Sequence, residues 1–393
     1  MNDPSVPGVY RRATSPPSAQ DLPTGVPLFL GYTTRAAHRG SLGTSGWSGG
    51  ACRFASWSEF LERSGAPDPD GYLADAVRGF FDNGGERCYV MPLDPRTVTS
   101  AEGAQEAIDA ALQLSKEADD IDLLCVPDAA RYGPDAAAAI HQRVLDSTAG
   151  DHRFAILDSL PDNDLSATAA HWQQLAGANG ALYYPWVIVS DLQGRLRAVP
   201  PCGHVAGVFA RTDREAGVFK APANQPLQGV HDLTTALSDR VQRSADPAGV
   251  VNCLRAFPSR GIRVWGARTT TGETAWQYIN VVRLFQTTAR WMARNLADVV
   301  MEPHDVWLWA RIRREVNDYL FKLFRQGALK GATPQEAYFL KCDDETTPTA
   351  LRDLGHVVVE LGLAPIVPAE FIIVRFVYSE HGLRAATLAG SGI

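Results

Sequence analysis

Five short apolar runs punctuate the first half of the chain, at 26–32 (VPLFLGY), 88–93 (CYVMPL), 121–126 (IDLLCV), 154–157 (FAIL) and 182–189 (LYYPWVIV). Each is nearly continuous rather than alternating, the pattern of strands buried on both faces of a mainly parallel sheet. Between them lie Ala-rich stretches with helical spacing. The stretch 101–118 places Ala104, Ile108, Ala111 and Leu112 on one face. The stretch 134–145 opens with Pro134 in its first turn and gathers Ala137, Ile140, Val144 and Leu145. Strand alternating with amphipathic helix predicts an α/β fold for 26–250.

Beyond 250 the period changes. Two long helices are expected, 279–300 and 306–325. The first carries a stripe of Val282, Phe285, Ala289, Met292, Leu296 and Val299, and the second one of Trp309, Ile312, Val316, Tyr319 and Leu323. Pro303 separates them, and Gly327 and Gly331 follow the second. The segment 351–361 leads into 370–378 (EFIIVRFVY), which reads as a strand, and 381–393 reads as a loose tail. At the other end, residues 1–27 hold six prolines and little apolar periodicity. Residues 1–25 are therefore an expected extended arm, containing one strand-like piece, VPGVY at 6–10.

A length of 393 residues exceeds one ordinary core and predicts two or three lobes. Lys and Arg number 37 against 44 Asp and Glu, and the resulting charge of −7 argues against a general nucleic-acid binder. No run approaches the roughly 18 apolar residues of a membrane-spanning helix. The opening MNDPSVPGVYRR lacks the apolar core of a signal peptide, so a cytoplasmic location is expected. The six cysteines are scattered without a C-x-x-C or a Cys/His cluster. They predict neither zinc nor disulfides, but buried packing thiols.

The search for chemistry yields little. Gly46-Trp47-Ser48-Gly49-Gly50 satisfies G-x-S-x-G, but a nucleophile elbow needs a strand before it and a helix after it, and neither flank reads that way. His171, Asp158 and Ser190 permit a triad only on paper. No phosphate-cradling loop is present. The bunched carboxylates of Cys342-Asp343-Asp344-Glu345 lack the alternating spacing of a cation loop. A basic set on the second long helix (Arg311, Arg313, Arg314, Lys322, Arg325) is either a solvated face or a surface for a carboxylate-bearing partner. An α/β hydrolase-like enzyme using Ser48 and a monomeric binding module both stand as alternatives at this point.

Several strings, spread from end to end, resemble the contractile tail sheath proteins of phages and phage-like particles. They are PGVY at 7–10, ASWSEF at 55–60, AVRGFFDNGGERCYVMPL at 76–93 and VPPCGHVAGVFARTDREAGVFKAPAN at 199–224. RGIRVWGARTT at 260–270, YINVVRLF at 278–285, the long string at 308–348 (LWARIRREVNDYLFKLFRQGALKGATPQEAYFLKCDDETTP) and GLAPIVPAEFIIVRFVYSE at 362–380 complete the set. Order and spacing resemble the short sheath of extracellular contractile injection systems and R-type pyocins; the weakest match is about 95–195.

The resemblance implies an N-terminal arm (1–25), a subtilisin-like α/β domain (26–265), a C-terminal sheath domain (266–369) and a terminal strand arm and tail (370–393). It implies a non-enzymatic structural subunit without cofactor or metal. That subunit polymerises as six-fold stacked rings around an inner tube and contracts from a metastable extended state. Both arms would lend strands to neighbouring copies through Val9, Tyr10, Phe371, Ile372, Val374 and Phe376. Contact with the inner tube is expected from a helical segment at 347–361 bearing Arg352, Asp353 and Glu360, or from Arg311 and Arg314. Other implied partners are baseplate and cap proteins, without nucleic acid or membrane insertion. Assembly is expected in a bacterial cytoplasm, as part of a particle released by lysis.

Overall fold

A computed structural model of the chain describes residues 22–33, 51–93, 100–161, 164–299, 302–303, 305–353, 356–368, 373–379 and 382–388. The apolar runs become strands in the order expected. They are β1 (Pro27–Tyr32), β2 (Cys52–Phe54), β3 (Cys88–Leu93), β4 (Leu123–Cys125), β5 (Phe154–Asp158) and β6 (Gly180–Tyr184). Next come β7 (Val187–Ser190), β8 (Leu196–Val199), β9 (Asp232–Leu233), β10 (Asn252–Phe257) and β11 (Gly261–Trp265). One sheet runs β11-β10-β6-β5-β4-β1-β3-β2. Its middle strands, β10 to β3, are parallel, and its two edges, β11 and β2, are antiparallel. The mainly parallel α/β expectation is met.

Helices α1 (Trp57–Ser64), α2 (Leu73–Asp82), α3 (Ala101–Ser115), α4 (Pro134–Thr148), α5 (Leu165–Gln174), α6 (Cys202–Ala216) and α7 (Asp239–Ala245) accompany these strands. Strand pleating sends neighbours to opposite faces. Leu28 and Leu30 meet Ala104, Ile108, Ala137 and Ile140 of α3 and α4. Phe29 meets Leu73 and Phe80 of α2 and Phe209 of α6. Helices α2 and α6 cross so closely that a Cβ on Gly203 would lie 2.1 Å from the Ala76 carbonyl oxygen. On Gly207 it would lie 2.5 Å from that of Phe80.

The run expected as one strand at 182–189 divides. Pro185 has no N–H to donate to a ladder; β6 ends at Tyr184 in the large sheet, and β7 begins a separate sheet of order β8-β7-β9.

The remainder contains α8 (Ile279–Asn295), a 3₁₀ turn at Ala297–Val299, α9 (Val306–Arg325), α10 (Pro334–Ala337), β12 (Tyr338–Lys341) and α11 (Thr349–Arg352). It closes with β13 (Glu360–Leu363), β14 (Ile373–Ser379) and β15 (Gly382–Leu388). Helix α9 begins where Asp305 accepts from the N–H groups of Trp307 and Leu308, both at 2.9 Å. It ends before Gly327, at φ +79°, the left-handed position that stops helices. Leu308, Trp309, Ile312, Val316, Leu320 and Leu323 face a second core shared with Trp291 and Leu329.

Three expectations need correction. The segment 347–361 is not one helix: among its described residues the helical piece is the single turn α11, and β13 pairs antiparallel with β12 from 360 onward. The expected loose tail at 381–393 is a strand over its described residues 382–388, because β15 pairs with β14 from Ser379↔Gly382 to Ile373↔Leu388. The apolar stripe of α8 is only partly its buried face. Val282 is buried, but so are Asn280, Arg283, Gln286 and Arg290.

Candidate assembly surfaces and the anchors of the chain ends

The sequence predicts an extended arm up to residue 25, yet the chain is already docked on the body from Pro23, whose carbonyl accepts from Arg290. Gly25 is buried with φ +70°, and a Cβ there would fall 2.5 Å from the Ala210 backbone. Its N–H and that of Val26 donate to the two oxygens of Asp122, at 3.0 and 2.6 Å. Asp122 sits just before β4, and the Val26 carbonyl in turn accepts from the N–H groups of Asp122 and Leu123. Residues 23–26 are thus docked before β1 starts.

A carboxylate this deeply buried requires a counter-charge. Arg283 of α8 supplies it, 2% exposed, with Nη2 at 2.9 Å from Asp122. The same guanidinium bonds both oxygens of Asp213 on α6, at 2.7 and 2.6 Å, and lies over the Phe209 ring. Burial alone pulls the Arg283 pKa down, but Asp213 and then Asp122 more than reverse this, so the net shift is upward. Arg283 is therefore a permanent cation binding α6, the pre-β4 segment and the arm root together.

The polar stripe continues along α8. Gln286 donates to the Arg153 carbonyl at 2.8 Å, Arg290 to the Asp119 carbonyl at 2.7 Å, and Arg294 lies 3.4 Å from Asp120. One turn before Arg283, the Asn280 amide donates to the carbonyls of Phe219 and Ile366, at 2.9 and 2.8 Å. On a different side, Met292, Leu296 and Val299 pack toward the α9 core, with Trp291 stacked on Tyr319 at 4.1 Å. Both sides of α8 are therefore committed to packing.

Ile366 belongs to the exit of the C-terminal arm. There Lys330 N–H donates to Ala364 O at 2.7 Å, Leu329 bridges to Pro365, and Ile366 N–H reaches Ala328 O at 3.3 Å. Farther on stands the β14–β15 hairpin, in which Val374 pairs with Thr387 and Phe376 with Ala385. Val9, Tyr10, Phe371 and Ile372 lie outside the described residues.

The expected inner-tube residues fall on neighbouring parts of the second core. The Arg352 guanidinium lies over the Trp309 ring at 5.3 Å, so α11 rests against α9. Asp353 is exposed, and Glu360, also exposed, stands opposite Lys341 in the β12–β13 pair. Arg311 is half-buried and pairs with Glu315 and Glu302. Arg314 is exposed and, with Arg313, Asn317, Gln335 and Tyr338, lines a cavity of about 420 Å³ between α9 and β12. Nearby, Trp307 is 78% exposed and Phe339 60%.

The weaker candidates find structural roles. Asp158 accepts from Cys202 N–H at 2.8 Å, at the start of α6; His171 faces His141 at 3.3 Å; and the Ser190 carbonyl accepts from Arg78. No hydrogen bond joins these three residues to one another among those described. Burial raises the Asp158 carboxyl to about 7 against its bonds to Cys202, and lowers the His141 imidazole, with His171 adding to the effect, to about 3. Ser48 and its flanking glycines lie outside the described residues. All six cysteines are buried, as expected of packing thiols. Asp343 accepts from the N–H groups of Glu345 and Thr346, making the acidic bunch a turn. A cavity of about 470 Å³ beside α2 and the β7–β8 turn contains the Arg197–Asp75 pair. Among the described residues no cluster of His, Cys, Asp and Glu could hold a metal ion, and no helix is long and apolar enough to cross a membrane.

Residues 23–26 and 364–366 are thus both docked on a mixed α/β body. Residues 98–270 match the phage tail sheath protein central domain, and 271–379 match the phage tail sheath C-terminal domain. Among solved structures, the chain is similar to the helical sheath of the anti-feeding prophage in its contracted state. The two are 32% identical, with a TM-score of 0.76 over 95% of this chain and 99% of that one. It is also similar to the contracted PVC sheath complex of an extracellular contractile injection system, at 27% identity and a TM-score of 0.74, covering 97% and 99% of the two chains. The tail sheath protein of Salmonella phage ViI is 24% identical over 211 residues, 53% of this chain and 32% of the phage protein. Against the curated relatives it first matches, the chain spans about a third of their length. The chain belongs to the phage tail sheath family, as its motifs implied.

Proposed function

We propose that copies of this chain stack as six-fold helical rings around an inner tube, each copy joined to its neighbours by strands lent from both chain ends. The observation that supports this reading is the β14–β15 hairpin, which among the described residues is a sheet of two strands. Two isolated strands are marginal in water and gain stability when a further strand joins an edge. The piece around Val9 and Tyr10 of a neighbouring copy is such a strand, received beside Phe371, Ile372, Val374 and Phe376. At about 1 kcal/mol net per backbone hydrogen bond, a four-residue strand contributes a few kcal/mol. Many such links hold a lattice while the bodies slide.

Within this reading the lobe around the parallel sheet is subtilisin-like in fold and is not a protease. Contraction is powered by the folded lattice itself: the extended sheath is metastable, and the compact one buries more surface between copies. A bias of a few kcal/mol per copy suffices when neighbours switch together. Arg352, Asp353 and Glu360, or Arg311 and Arg314, face the inner tube, and baseplate and cap proteins close the ends. Assembly takes place in a bacterial cytoplasm and lysis releases the particle.

The test is deletion of residues 1–12, and separately Val374→Pro, which removes a ladder donor. Electron microscopy should find no ordered tubes from either variant, while the thermal melt of the body stays at the parent value. Regular tubes from both variants would sink the proposal.

A further inference from the structure

We infer that α8 is a strut tying the exits of the two chain ends to each other, with Arg283 and Asn280 as its positioning residues. The two side chains stand three residues apart, on one helix face and about 4.5 Å apart along the axis. Arg283 holds Asp122, whose oxygens hold Gly25 and Val26 at the N-terminal exit. Asn280 holds Ile366 at the C-terminal exit and Phe219 beside it.

The chemistry of the two groups favours placement over plain stability. Arg283 is a buried ion between two carboxylates, an arrangement that well-packed apolar groups often equal or better in stability while losing its directionality. Asn280 spends both amide hydrogens on two carbonyls and leaves its own Oδ1 buried without a partner, a cost that an apolar residue would avoid. An unpaired buried oxygen makes sense if the task is to pin two backbone segments to one point of a helix.

The consequence rests on the strand-lending reading above. If the ends bind neighbours, tension arriving at one end passes through a single turn of helix to the other. The tie itself can be measured on the full-length chain without that reading, by amide hydrogen exchange. Asn280→Ala should speed exchange at Ile366, and also at Gly25 and Val26, which it does not touch, by about fivefold, the equivalent of one lost hydrogen bond. Coupling is reciprocal, so Arg283→Lys, which keeps the charge but loses the fork, should speed exchange at Gly25, Val26 and Ile366 alike. Gln286→Ala, on the same helix but tied to Arg153, should leave both exits at the parent rate. The inference is overturned if each variant loosens only its own exit, or if Gln286→Ala loosens both. Strand lending is judged separately by the 1–12 deletion, so the two can fail independently.

Discussion

The large sheet and the α8 seam are both buried, and they are held together by opposite means. In the sheet, Leu28, Leu30 and Phe29 are fully buried among apolar side chains, and stability follows from area removed from water. Along the seam, Arg283, Asp122, Asp213 and Asn280 are also buried, yet what they contribute is direction: their hydrogen bonds run to particular atoms at fixed places. The sheet builds a rigid body that tolerates shape-conserving exchange. The seam fixes where two chain ends leave that body, and a near-miss there leaves a charge unpaired.

The contrast can be broken most forcefully at Arg283. Arg283→Met should cost about 3–5 kcal/mol by denaturant unfolding, because two carboxylates lose their cation. Adding Asp122→Asn and Asp213→Asn should return at least half of that loss. No recovery would mean that the seam behaves like the apolar core.

Next in size is Gly203→Ala, at about 3 kcal/mol by the same measurement, from a methyl group forced against the Ala76 backbone. Trimming neighbouring side chains should not rescue it, since the obstacle is main chain. This is where core and seam part company: one lesion has a compensating partner and the other has none.

A smaller effect appears with pH. Asp158 titrates near 7 in the folded chain against an ordinary 3.8, so the fold binds its proton more tightly than the unfolded chain does. Its contribution is complete below about pH 4 and disappears as pH rises through 7. His141, held at about 3 against 6.5, works the other way: its contribution is present above 6.5 and fades as pH falls toward 3. Melting temperatures between pH 5 and 8 should show a declining component that Asp158→Asn removes. An unchanged slope would mean that Asp158 is ionised in the fold.

Smallest for the fold is Arg314→Glu, an exposed change worth less than about 0.5 kcal/mol. With Glu360→Lys, it should release the inner tube from intact particles while leaving the melt in place. Tubes retained in both variants would remove both surfaces from consideration.

Why the sheet could be read from sequence and the seam could not follows from the same contrast. Runs such as CYVMPL declare burial in their own composition, and β3 occupies those six positions. Helix α9 likewise displays its stripe and its caps. In α8 the pattern misleads, because Asn280, Arg283 and Gln286 look like the solvated face until Asp122, more than 150 positions earlier, is seen to need a partner. The strand β15 does not announce itself in sequence, since GLRAATL has weak strand character and gains its order from pairing with β14. Family motifs located the chain ends, whereas their anchors lie in carbonyls and carboxylates that no motif spells.

The most direct test of the central claim, that chain ends join copies by paired backbone, is a disulfide scan in assembled sheaths. Chains carrying Val9→Cys are mixed with chains carrying one cysteine at each position from 373 to 379 in turn. The native thiols, all buried, stay out of the reaction. Mild oxidation should give linked chains on a non-reducing gel at alternate positions of the strand, and monomer at those between. Monomer at every position, from sheaths that are intact by microscopy, would contradict the account.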